Sequence, residues 1–354
     1  MGADPDDGGA PILSVRDLSI RIGDGGEAFT AVDGVSIEVR RGETVAIVGE
    51  SGCGKSLTAL ALMKLLPPKV AIGGGRIDFA GIDVASASEQ AMARLRGDAV
   101  AMIFQDPMTS LNPLVPVGRQ ISESLTIHQG ARGRAAAARA LELLEMVGVS
   151  DPSMRLKAYP HELSGGMRQR VMIASAMACR PRLMIADEPT TALDVTVQAQ
   201  ILALLKDLQK LTGMGLVLIT HDFGVVAQMA NWVAVMYAGR FVEQGPVDQI
   251  FDHPAHPYTR GLMACSRPAA RDAGAARRRR LTQIPGTVVL LKEERPGCAF
   301  ADRCAEATDH CRTHRPHEIR LEGRHRAMCW LCGDGHDHSL NGRGADAASA
   351  PPAG

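Results

Sequence analysis

Gly49, Glu50, Ser51, Gly52, Cys53, Gly54, Lys55 and Ser56 read GESGCGKS, directly after the apolar run TVAIV and directly before LTALALMKLL, which opens at Leu57. A short, uninterrupted apolar run is what a strand buried on both faces of a parallel sheet looks like. The run that follows has the composition of a helix. Between them the spacing is G-x-x-x-x-G-K-[ST], and each residue type has a physical reason to be there. The glycines let successive backbone N–H groups turn inward around a polyphosphate, and the helix N-terminus adds partial positive charge. Lys55 is then placed to reach the β- and γ-phosphates, and Ser56 to ligate Mg²⁺.

A second site-forming stretch lies downstream. LMIADE is an apolar strand that delivers Asp187 and Glu188 at its C-terminal end, where ligands sit in open α/β sheets. We assign Asp187 to the metal through water and Glu188 to the base that polarises an attacking water. Between the two stretches, LSGGMRQR places Ser164, Gly165 and Gly166 at a glycine-rich turn that opens a helix. In isolation that turn is a helix cap. Its hydroxyl and two amides also make a second anion-binding N-terminus, one more than a single nucleotide needs.

The rest of the chain arranges itself around these stretches. ILSVRDLSIRI and AVDGVSIEV read as strands, and residues of about 92–178 as a helical insert, with Leu141, Leu144 and Val147 at helical spacing. RLMIAD, GLVLIT and WVAVMYAG return as strands, with a helix through VQAQILALLKDLQKL. Strands alternating with helices argue a parallel α/β sheet. At 354 residues there is room for more than one domain, and 39 basic residues cancel 39 acidic ones, so no net field draws the chain to nucleic acid or anionic lipid. The four arginines at 277–280 have no interleaved aromatics and read as a solvated linker. MGADPDDGGA has no basic start and no apolar core of a signal peptide, and no window is apolar enough to span a membrane, so a cytosolic chain is expected. Residues 333–354, rich in Gly, Ala and Pro, are expected to be disordered.

Taken in order, GESGCGKS, Gln105 in IFQDP, LSGGMRQR, ADEPTTALD and Thr220-His221 in LITHD resemble the nucleotide-binding subunit of an ABC transporter, over residues 12–250. The resemblance implies an α/β P-loop NTPase of the ABC-type ATPase class, with a parallel-sheet core, an N-terminal antiparallel β subdomain and a helical subdomain. It implies that two such domains enclose two ATPs head to tail, each P-loop facing the partner's LSGG turn. By position, Gln105 touches Mg²⁺ or the attacking water and marks where a membrane partner docks. His221 contacts the γ-phosphate and orients it with Glu188, and Asp194 pairs across the dimer. The pattern departs at the base, where an aromatic is usual. Here Ile20 and Ile22 are aliphatic and Phe29 is the nearest ring, so adenine is expected on Ile22 or Phe29.

The tail narrows the resemblance. HPAHPYTRGL from His253, Ile284-Pro-Gly, and GCAFADRC resemble the C-terminal extension of ATPase subunits in dipeptide and oligopeptide importers, here residues 251–332. The chain has eight cysteines, and five of them fall between 298 and 332. Four thiolates suit an iron–sulfur cluster or tetrahedral zinc, and the spacings match neither the usual zinc pairs nor the ferredoxin run. Similarity to the longer, D-type subunit implies a [4Fe–4S] cluster on Cys298, Cys304, Cys311 and Cys329 in a small Cys-rich C-terminal domain, with zinc, or Cys332 in place of Cys329, as alternatives. The expected protein is an ATPase subunit at the cytoplasmic face of the inner membrane. It would work with a sister ATPase, two permease subunits and, indirectly, an extracytoplasmic peptide-binding protein, and without nucleic acid. Importers of nickel or other small solutes share such a core. So do soluble ABC ATPases of DNA repair or translation, but their paired modules, coiled-coil insertions and inserted zinc modules are not seen. A P-loop kinase or GTPase would have no use for LSGGMRQR.

Overall fold

The computed structural model describes residues 10–25, 28–106, 110–266, 284–287 and 296–333. The arginine run at 277–280 and, Gly333 apart, the tail expected to be disordered lie outside the described residues. Among the described residues, twelve strands form two sheets. β1 (Leu13–Ile22), β2 (Phe29–Val39), β4 (Val70–Phe79) and β5 (Ile82–Asp83) make an antiparallel sheet in the order β2-β1-β4-β5. β3 (Thr44–Val48), β6 (Val100–Ile103), β7 (Leu183–Asp187), β8 (Gly215–Thr220) and β9 (Trp232–Tyr237) form the parallel centre of the second sheet. Its antiparallel margin is β10 (Arg240–Pro246), β12 (Arg326–Ala327) and β11 (Ile319–Arg320), giving the order β11-β12-β10-β9-β3-β8-β7-β6.

Successive side chains of a strand leave opposite faces, and three apolar clusters sort by that rule. Val45, Ile47, Ile185, Val217 and Ile219 face the antiparallel sheet. Met184, Ala186, Leu216 and Leu218 face the helices Val117–Gln129, Gly133–Met146, Gly165–Ala176 and Val195–Thr212. Ala46, Val48, Val233 and Val235 meet Tyr258 and Phe300 of the C-terminal extension. The strands buried on both faces are the ones whose sequences read as continuous apolar runs. Among the described residues no helix is long and apolar enough to cross a membrane.

The helical insert differs in one respect from the expected span. Residues 100–103, VAMI, are β6, paired in parallel with β7 at the sheet edge, so the helical layer follows that strand. The C-terminal extension is continuous with the core: its β11–β12 hairpin prolongs the central sheet beside β10.

Candidate functional site

The loop GESGCGKS joins the end of β3 to the helix Lys55–Leu62, and two of its glycines have no substitute. A Cβ on Gly49 would strike the carbonyl oxygen of Met236. Gly54 sits at φ 111°, a left-handed conformation open to glycine, and a Cβ there would come 3.0 Å from Val32 Cγ2. Lys55 is 5 % exposed and donates to the carbonyls of Gly49 at 2.7 Å and Glu50 at 2.9 Å. Its ammonium is therefore held over the loop by the loop's own backbone. Cys53 is buried beneath it, and burial pushes that thiol up. Ser51, Gly52 and Ser56 are exposed along the loop, and Leu57 packs partly into the core.

The two carboxylates sit at the end of β7, beside β8. Asp187 is 5 % exposed and its Oδ1 is buried without a hydrogen-bond partner. Burial lifts its carboxyl above the ordinary value, and the neighbouring Glu188 adds to the lift against Ser56 and Lys55. An orphaned buried carboxylate oxygen beside the Ser56 hydroxyl is an oxygen donor set of the kind Mg²⁺ takes, so the residues present fit that ion. Glu188 takes a left-handed φ of 46°, a strained conformation for a residue with a Cβ. The strain turns it out of the strand into a nest of donors. Thr191 Oγ1 donates to Oε2 at 2.8 Å, Gln105 Nε2 donates to the same oxygen at 3.0 Å, and His221 Nδ1 lies 3.4 Å from Oε1. Burial would raise this carboxyl, but the bonds from Thr191 and His221 and the nearby positive charges hold it below its ordinary value. A base kept ionised among residues that can aim a water is suited to hydrolysis.

Ser164, Gly165 and Gly166 stand apart from this group, with Ser164 and Gly165 exposed. Ser164 caps the helix Gly165–Ala176 by accepting from the Met167 amide at 3.3 Å. A Cβ on Gly166 would come 2.7 Å from Val197 Cγ1. Asp194 caps the helix Val195–Thr212, accepting from the Val197 amide at 2.9 Å, and is exposed. In the antiparallel sheet Ile20 is fully buried, whereas Ile22 and Phe29 are half-buried cross-strand partners.

Cys298, Cys304, Cys311 and Cys329 line one small cavity. The Cys298 amide donates to the Cys311 carbonyl at 2.7 Å, which brings the two ends of that segment together. All eight cysteines are free thiols. Burial, then the neighbouring thiols, push Cys298 up to about 11, while a hydrogen bond from Cys332 draws Cys329 down to about 7. Cys332 itself turns toward the Ala255 carbonyl. Among the described residues no group of three or more His, Cys, Asp or Glu is drawn together as the ligand set of a metal ion.

Two contacts at the phosphate loop had no counterpart in the sequence reading. Tyr258, in HPYT, and Arg303, in GCAFADRC, both reach Glu50. The motifs were legible, but which loop they touch depends on tertiary packing. Thr191 was likewise legible only as part of ADEPTTALD.

Fold and site together define a P-loop nucleotide hydrolase of the cassette type. Residues 32–191 match the family described as ABC transporter, and residues 242–311 the oligopeptide/dipeptide transporter C-terminal region. The "Probable peptide ABC transporter ATP-binding protein y4tR" of Sinorhizobium fredii is 50% identical over 320 residues, 90% of this chain and 94% of that protein. The dipeptide transport ATP-binding protein DppD of Escherichia coli is 49% identical over 319 residues, 90% of this chain and 96% of that one. A solved dimer of the ATP-binding cassette MJ0796, in a post-hydrolysis state with ADP and Pi, superposes with a TM-score of 0.60 at 27% identity, over 66% of this chain and 98% of that one. The chain belongs to the family of ABC transporter ATP-binding proteins with an oligopeptide/dipeptide transporter C-terminal region, and it is an ATPase.

Proposed function

We propose that the chain hydrolyses ATP to power import of dipeptides or longer peptides across the bacterial inner membrane. The observation that carries this reading is that a complete cassette site and a peptide-transporter C-terminal region lie in one chain that peptide-transport ATPases match over nearly all its length. Residues 12–250 act as the nucleotide-binding unit, with a helical subdomain that follows β6 and runs to about residue 178, and residues 251–332 as the extension. The protein works as a peripheral subunit on the cytoplasmic face. It pairs with a sister ATPase and two permease subunits, supplied with peptide by an extracytoplasmic binding protein.

In the working dimer, the loop amides of residues 49–56 and Lys55 hold the phosphates of ATP, and the partner's Ser164, Gly165 and Gly166 face them across the interface. Ile22 or Phe29, cross-strand partners in the antiparallel sheet, forms the platform for adenine. Ser56, Asp187 and Gln105 would hold Mg²⁺, which would supply positive charge against the phosphates. Glu188 takes the proton of the attacking water, with His221 and Gln105 fixing the water and the carboxylate. Asp194 steadies the facing subunit. Cys298, Cys304, Cys311 and Cys329 hold a [4Fe–4S] cluster as a structural staple. Four thiols lining one small cavity are the donor type such a cluster takes, and four thiolates would equally suit a tetrahedral zinc.

The test is to purify tagged Glu188→Gln protein with ATP in mild detergent from its own cells and identify what accompanies it. Two membrane subunits and a second ATPase support the importer. Ribosomes or DNA-repair proteins without a membrane partner would overturn it. Iron and sulfide analysis of anaerobically purified protein tests the cluster, and one zinc with no sulfide would reject it.

A further inference from the structure

Glu50 is an acidic residue inside a loop that must receive a polyphosphate, and the C-terminal extension holds it from two sides. Its amide donates to Tyr258 Oη at 2.9 Å. Its carboxylate accepts from both terminal nitrogens of Arg303, at 2.7 Å and 3.0 Å. Arg303 is itself fixed: its Nε donates to the Pro285 carbonyl at 2.8 Å, and its guanidinium carbon stands 5.7 Å from the Tyr237 ring and 5.9 Å from that of Phe300. The Arg303 side chain is 3% exposed and that of Glu50 27%, so the arginine is the anchored partner and the loop residue is brought to it. The Glu50 carbonyl in turn is one of the two acceptors that orient Lys55.

The geometry points to Arg303 and Tyr258 as positioning residues of the nucleotide site: the extension forms the outer wall of the phosphate loop, where Arg303 neutralises Glu50 and both residues fix the carbonyl that aims Lys55. A planar fork meeting a carboxylate with two parallel bonds sets orientation as well as charge, which a lysine would not do. Without Arg303 the Glu50 carboxylate stands uncompensated beside the loop that receives the phosphates, and its side chain loses the fork that orients it. Arg303 lies in the short turn Ala301–Arg303, between Cys298 and Cys304, so the wall is built from the cysteine segment itself. A structural staple in that segment would thereby hold the nucleotide loop as well.

The inference rests on the reading that residues 49–56 hold the nucleotide's phosphates, and the experiment separates the two. The affinity of the full-length chain for a fluorescent ATP analogue with Mg²⁺ is measured for the wild type, Lys55→Ala, Arg303→Ala, Arg303→Gln, Tyr258→Phe, and the double variant Glu50→Gln/Arg303→Ala. Arg303→Ala should weaken binding about tenfold, or about 1.4 kcal/mol. Removing the Glu50 charge in the double variant should recover most of that loss, a coupling that packing alone would not produce. Arg303→Gln, which keeps most of the side-chain volume, should bind as poorly as Arg303→Ala, and it serves as the test if the alanine variant fails to fold. Tyr258→Phe should give a smaller loss. Wild-type affinity in both Arg303 variants, or a double variant no better than the single, would overturn the inference. Unchanged binding in Lys55→Ala would instead overturn the phosphate-loop reading beneath it.

Discussion

At the scale of single residues, the carboxylates at the end of β7 are set to different tasks by their surroundings. Asp187 is buried with an oxygen left over, and its carboxyl is lifted above the ordinary value. Glu188 is half-ringed by donors and held below it. A lowered value keeps the base ionised throughout the neutral range, so turnover should show no acid limb from Glu188 near pH 6. A general base contributes about 10²–10⁴-fold, and Glu188→Gln should lose turnover on that order while still binding ATP. ATPase rate and nucleotide affinity on the same preparation check this, and near-normal turnover would reject the assigned base. Asp187→Asn should act differently. Losing the charge opposite Ser56 should make ATP affinity nearly independent of Mg²⁺, read as binding curves with the metal and with a chelator. A Mg²⁺ dependence equal to the wild type's would place the ion elsewhere.

At the scale of elements, the turn into the helix Pro257–Ser266 carries a buried titratable group. His256 is 1% exposed, its Nδ1 accepts from the Tyr258 amide at 3.0 Å, and its own amide donates to Glu243 at 2.9 Å. Burial draws the imidazole from its ordinary 6.5 down to about 4, against the pull of Glu243. Between those values the unfolded chain binds a proton that the folded chain does not, so stability rises with pH across that window. It falls by about 1.4 kcal/mol for each unit of acidification for a single proton. His256→Asn, which can still accept from the Tyr258 amide, should therefore show a shallower fall of melting temperature between pH 6.5 and 5. Identical slopes would show that other groups govern acid stability. The turn was legible as the HPYT motif, and β3, β7 and β8 were legible as apolar runs because both of their faces are covered. β6 was not: its four residues sit beside a long helical pattern and are too few to show a period of their own. β4 carries three successive glycines, which weaken any strand signal, and β11 and β12 are two residues each. Their pairing follows from neighbours, not from their own sequences.

At the scale of the whole molecule, the site motifs could be read because each works through local backbone geometry, whereas the wall behind the phosphate loop could not. Tyr258 and Arg303 stand 208 and 253 residues from Glu50, and no spacing encodes a contact at that range. The same packing argues that the cassette depends on its extension. Tyr258 is fully buried, Phe300 is 4% exposed, and both rings meet Tyr237 edge-on, at 4.7 Å and 5.2 Å between centroids. Burying a large apolar side chain is worth about 1.5–3 kcal/mol, so these two with Met263 approach the 5–15 kcal/mol that holds a typical domain together. Removing the extension would also bare the edge of β10, which β12 now covers, and exposed strand edges pair with other chains. A chain ended after Asp252 should accordingly melt many degrees lower, aggregate on unfolding and bind ATP more weakly than the full chain, even though the motifs from Gly49 to His221 are all retained. Differential scanning calorimetry and nucleotide titration would decide it. A truncated cassette with wild-type melting temperature and affinity would make the extension a separable appendage and confine its role to contacts outside the nucleotide site.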